Sequence, residues 1–161
     1  MKPELAERLQ FLQRVIEKEI QHLRYSASQV FQNAMTPETA ASLQHNEILA
    51  EKVEAFASRF SRLQDTVGDK LLPAWLRALG EHTGAVIDNL DRAEKLGMLK
   101  SADQWLEIRL IRNQMVHEYI EQPEILANAL NLAASFQPEL EHFALALIKD
   151  LQSRGLLINP Q

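Results

Sequence analysis

The sequence predicts an all-α protein, an up-and-down antiparallel bundle of about five helices in a single domain spanning residues 1–161. Three observations predict it. Apolar residues recur in steps of three and four along most of the chain, the spacing that gives a helix one apolar face. No segment alternates apolar and polar residues as a half-buried strand does. The 5 glycines and 6 prolines fall between the periodic segments.

The first segment follows Pro3 and carries Leu5, Leu9, Leu12, Ile16, Ile20, Leu23, Ala27 and Val30, which predicts one amphipathic helix reaching about Asn33. In "MTPETA", Thr36 suits an N-cap and Pro37 the first helical position, where its missing N–H costs nothing. The helix opened there is expected to run on through Leu49, Val53, Phe56, Phe60, Leu63 and Val67, a coiled-coil-like seam suited to antiparallel packing on the first helix. Gly68 and Pro73 in "VGDKLLPAWLRALGE" are expected to break or kink the chain.

A shorter helix is expected from about Ala85 to Leu96, closed by Gly97 as a left-handed C-cap. "SADQ" reads as a capping box, with Ser101 the cap and Gln104 three residues on. It opens a helix that Pro123 stops, and Pro123 can start the next. Leu130, Ala133, Phe136, Leu140, Phe143, Leu147 and Leu151 keep nearly one phase across Pro138, which predicts a kinked helix or two abutting ones.

The 46% hydrophobic and 24% charged content are those of an ordinary soluble globular chain. No apolar run approaches the roughly 20 residues of a membrane span, and "MKPELAERLQ" lacks a secretory apolar core. A cytoplasmic protein with no membrane partner is expected. The absence of cysteine fits this and excludes disulfides. A net charge of -5 argues against broad non-specific nucleic-acid binding, which needs a basic surface, so any phosphate site must be a local cluster.

One residue interrupts the apolar pattern. With Arg112 at zero on a wheel of about 100° per residue, Trp105 falls near 20°, Val116 near 40°, Tyr119 near -20°, Ile108 near -40° and Met115 near -60°. Arg112 therefore stands at the centre of the apolar arc. Its guanidinium stays charged and is costly to bury alone. Three arrangements satisfy it: an ion pair with a carboxylate of another helix (Asp65, Asp69, Asp88 and Asp91 are the candidates), a subunit interface, or a cleft that takes an anion.

Asn113 and His117 lie one turn apart on an adjoining flank. A histidine in the last turn of a helix can be purely structural, since it meets the dipole favourably. As a group the residues carry chemistry. Arginine grips phosphate oxygens in a fork, histidine moves a proton near neutral pH, and Asn113 can orient either. Such a set suits metal-free cleavage of a ribose phosphodiester by its own 2′-hydroxyl. On a straight helix Arg112 and His117 diverge by about 140°, so convergence needs the long arginine side chain, a frayed helix end or a second subunit.

"RNQMVHEY" resembles the Arg-x4-His-x-Tyr signature of the HEPN superfamily, with a polar residue after the arginine. It is most similar to the minimal bacterial members paired with small nucleotidyltransferases, the HepT-like toxins and the nucleotidyltransferase substrate-binding proteins. "LQDTVGDKLLPAWLRALGE" resembles the second group, and the all-helical plan agrees over nearly the whole chain. The resemblance implies that Arg112 binds and polarises the scissile phosphate, His117 serves as general acid and base, and Asn113 positions them. It implies that Tyr119 accepts AMP from a nucleotidyltransferase antitoxin, that the chain is a homodimer whose two motifs face one cleft, and that no metal or other cofactor is needed. The expected function is thus an endoribonuclease toxin acting on RNA. The alternative is a non-catalytic nucleotide- or substrate-binding subunit of a nucleotidyltransferase.

Other residues carry less. His22, His45, His82 and His142 lack metal-site spacing. Arg59 and Arg62, one turn apart, could lean toward a phosphate but fit a solvated face better, and Trp75 and Trp105 are expected in the core.

Overall fold

The computed structural model describes residues 1–117 and 121–158, with the side chains of all but residues 116 and 117. Its helices are α1 (Pro3–Val30), α2 (Pro37–Ser42), α3 (Glu47–Asp65), α4 (Leu72–Ala78), α5 (Val86–Lys95), α6 (Ala102–His117) and α7 (Pro123–Ser153), with a π-helical turn (Thr66–Leu71) between α3 and α4. Among the described residues there is no strand, and none of the helices is long and apolar enough to cross a membrane. The fold is an all-α bundle, as the periodicity predicts.

Helix ends follow local chemistry. Thr36 Oγ1 accepts the N–H of Thr39 at 3.1 Å, with Pro37 in the first turn of α2. Ser101 Oγ accepts the N–H of Gln104 at 3.1 Å. Gly97 closes α5 at φ 77°, a left-handed conformation that side chains with a Cβ resist.

Three expectations change. α1 ends at Val30, short of Asn33. The helix opened by Thr36 lasts only to Ser42, and a second cap restarts it: Asn46 Oδ1 accepts the N–H of Leu49 at 3.1 Å. Asn binds the backbone ahead of it more readily than it continues a helix, so "HNEI" is a start and not mid-helix. Around Gly68 and Pro73, in turn, the α-helix gives way to a π-turn but the chain stays helical. α3, the π-turn and α4 follow one another without a gap, and the chain turns only at Gly80, φ 72°. Proline has no N–H for an i→i−4 bond and its ring crowds the carbonyl behind it. The wider i→i−5 pairing just before Pro73, where Leu72 N–H reaches Val67 O, takes up that misfit. Pro138 lies inside α7, which is a single helix.

α1 and α3 run antiparallel. Arg59 on α3 donates to Ser26 Oγ at 2.7 Å and His22 O at 3.2 Å, while Thr66 Oγ1 reaches Glu19 Oε1 at 3.1 Å at the other end. Arg59 is therefore a packing residue. α7 forms the floor. Asn131 holds Met35 through both amide atoms at 2.9 and 2.8 Å, Glu141 accepts Arg24 Nε at 2.6 Å, and Asp150 accepts the Trp75 indole N–H at 2.8 Å. Trp75, Phe56, Phe60 and Phe143 are buried in the common core.

Candidate functional site

The helix with the misplaced arginine is fixed by Trp105. This side chain is 1% exposed and meets Phe136 and Phe143 of α7 edge to face, with centroids 6.1 and 5.4 Å away. Its backbone carbonyl accepts Gln64 Nε2 at 3.1 Å. Gly68 lies against the indole so closely that a Cβ there would stand 3.0 Å from Trp105 Cζ2. The π-turn thus presents bare backbone to the ring, which explains the glycine at a position with ordinary φ.

That contact sets the register of α6 against α3. Seven residues on from Trp105, about two turns, Arg112 meets Asp65: Nη1 donates to Oδ1 at 2.6 Å and Nη2 to Oδ2 at 3.0 Å. One turn back, Arg109 Nη1 reaches Asp69 Oδ1 at 3.3 Å. Ascending numbers on one helix pair with descending numbers on the other, so the helices are antiparallel. Ile108 and Met115 are buried beside Arg112, as the wheel predicts. Of the three arrangements open to Arg112, the chain by itself adopts the ion pair, and Asp65 is the partner.

The pair stands at the edge of water. The side chains of Arg112 and Asp65 are 19% and 42% exposed. Both line an open groove of about 1160 Å³ between α3 and α6. Ser58, Ser61 and Arg62 line the α3 wall, Thr66 and Lys70 belong to the π-turn, and Leu106, Arg109, Leu110, Asn113 and Met115 line the α6 wall. Among the described residues four cationic side chains line it, against the carboxylates Glu54 and Asp65, with Asp69 beside them paired to Arg109. On a chain of net charge -5 this is a local excess of positive charge.

Of the predicted site residues, Arg112 and Asn113 share the groove. Tyr119 lies outside the described residues, as does the side chain of His117. Lys70 and Arg109 were not singled out by sequence. The signal for Arg109 is a matched pair: carboxylates at 65 and 69, one turn apart, against arginines at 109 and 112, one turn apart; Lys70 has no such signal.

Behind the groove, Glu19 of α1 accepts Thr66 Oγ1, and its Oε2 is buried with no hydrogen-bond partner among the described residues. Burial pushes this carboxyl above the usual carboxylate range. The Thr66 hydrogen bond, Arg62 and Lys70 oppose that shift, and Asp65 adds to it. Because the folded state disfavours the ionised form, stability falls as pH rises from the unfolded toward the folded pKa, and stays lowered above it. Glu19→Gln, which keeps an acceptor for Thr66, is therefore expected to gain stability relative to the wild type between pH ~3.5 and pH ~7, values that bracket the unperturbed glutamate pKa. Melting of both proteins at the two pH values checks this. An unchanged difference contradicts it.

No family model matches the chain, and neither a curated protein nor a solved structure matches it.

Proposed function

We propose that the chain is a HEPN-type, metal-independent endoribonuclease, the toxin of a toxin–antitoxin pair. It acts as a homodimer and is silenced by a nucleotidyltransferase that transfers AMP to Tyr119. The observation that carries this reading is the groove: Arg112 and Asn113 lie in it together, among an excess of cations. Asp65 occupies only two of the guanidinium N–H groups of Arg112. It fixes the direction of the fork and leaves the other N–H groups for phosphate oxygens, which form charge-assisted bonds of the same kind. In the proposed reaction Arg112 holds the scissile phosphate and stabilises charge developing on its oxygens. His117 takes the proton of the attacking 2′-hydroxyl and a proton is returned to the departing 5′-oxygen. Asn113 orients the two.

Induced expression of the wild type and of His117→Ala tests this. Growth arrest with degraded cellular RNA is expected from the first and normal growth from the second. Equal growth and intact RNA in both overturn it.

The Asp65 fork favours a second reading. A neutralised arginine suits a non-catalytic subunit that holds a nucleotide, or presents Tyr119, for a separate nucleotidyltransferase. Incubation with that enzyme and ATP, followed by intact mass, separates the two. Addition of AMP to a chain without ribonuclease activity supports the second reading.

A further inference from the structure

We infer that Arg62 and Lys70 form a phosphate-binding subsite that holds the backbone of single-stranded RNA along α3, on either side of Arg112. The inference rests on the ribonuclease reading of the same groove and adds to it the form of the substrate.

Arg62 precedes Asp65 by three residues and Lys70 follows it by five, so they flank the Arg112 fork by about 4.5 and 7.5 Å along the helix axis at 1.5 Å per residue. In an uninterrupted α-helix, residues eight apart are offset by about 80° around the axis. The π-turn holds more residues per turn and takes up part of that offset, so Lys70 faces the same groove as Arg62. Among the described residues neither side chain has a carboxylate in ion-pair range, whereas Arg112 and Arg109 are paired with Asp65 and Asp69. They are the cations of the groove that no ion pair holds, although both also attract the Glu19 carboxyl behind it.

The groove walls differ. Ser58 and Ser61 bring hydroxyls and little bulk to the α3 side, while Leu106 and Leu110 offer apolar surface on the α6 side, Leu110 being 73% exposed. Phosphates along α3 with bases turned toward α6 match this division. A duplex, whose bases are paired inward, would leave the apolar wall uncovered. Among the described residues no aromatic side chain lines the groove, so base stacking on these walls does not contribute and they are expected to discriminate weakly among bases.

The test uses the full chain and a labelled single-stranded 2′-O-methyl RNA oligonucleotide, which lacks the attacking hydroxyl, titrated by fluorescence anisotropy at several salt concentrations. R62Q/K70Q is expected to weaken binding on the order of tenfold or more and to flatten the slope of log K against log salt by about 1.4, the value for two strand phosphates. K95Q, an exposed change on α5 away from the groove, is expected to leave both unchanged. Retained affinity and slope in the double variant overturn the inference. So does equal affinity for the duplex of the same sequence, or displacement by an equimolar mononucleotide. Both substituted residues are exposed, and a melting curve shows that the variant folds. Oligonucleotide binding that depends on Arg62 and Lys70, with no cleavage of ordinary RNA, supports the subsite and removes the nuclease reading.

Discussion

Trp105→Ala is expected to destabilise the fold by about 3–5 kcal/mol, the usual effect of deleting a fully buried large aromatic side chain. For a chain of this size that lowers the melting temperature by roughly 6–20 °C. The reason is local. The indole joins α6 to two elements: it packs edge to face on Phe136 and Phe143 of α7 and lies on the π-turn at Gly68. Its loss opens a void where α6 is held to both neighbours, and the register that sets Arg112 against Asp65 loosens with it.

Gly68→Ala reports on the same contact from the other side. A Cβ at 3.0 Å from the ring forces a shift, which typically costs about 1–3 kcal/mol, against about 1 kcal/mol gained from removing glycine within a helix. In the Trp105→Ala background the clash is absent and only the gain remains. A double-mutant cycle by thermal or denaturant unfolding checks this, and additive effects of the two substitutions would contradict the contact.

The second large effect is on chemistry. Arg112→Met is expected to reduce RNA cleavage by about 10²–10³-fold, the usual result of removing a donor to developing transition-state charge. Stability is expected to change by no more than about 1 kcal/mol. Asp65 is 42% exposed, so water solvates it once its partner is gone, and methionine suits the apolar surroundings at Ile108 and Met115. Asp65→Asn differs. It leaves the mostly covered guanidinium without its counter-charge, and a loss of about 1–2 kcal/mol is expected. If the pair is only structural, Arg112→Met leaves activity untouched and stability equal or improved.

Much of the fold was legible because it depends on periodicity and caps, which are local. The runs from Leu9 to Val30 and from Leu130 to Leu151, the cap at Ser101 and the left-handed Gly97 follow from neighbouring residues alone. The misreadings came where a distant partner decides. Gly68 looks like a helix breaker until the Trp105 indole is seen against it, and Pro73 looks like a helix stop until the π-turn is seen before it. Asn46 was a missed local signal, overridden by an apolar phase that continues across it.

The site was legible in part. Arg112 announces itself by standing on an apolar face, and Asp65 was among four named candidate partners. Nothing short of the antiparallel α3–α6 pairing selects Asp65 from that set, because Asp69 is taken by Arg109. Arg59 and Arg62 look alike in sequence, one turn apart. Packing separates them: Arg59 turns to α1 and binds Ser26, while Arg62 faces the groove.

The most direct measurement is the initial rate at which purified chain cleaves a single-stranded RNA in the presence of EDTA, for the wild type and for Arg112→Met, each shown to be folded. Cleavage by the wild type with 2′,3′-cyclic phosphate ends, slowed at least ~100-fold in the variant, is the expected result. Equal rates in the two proteins, or no cleavage by the wild type, would contradict it.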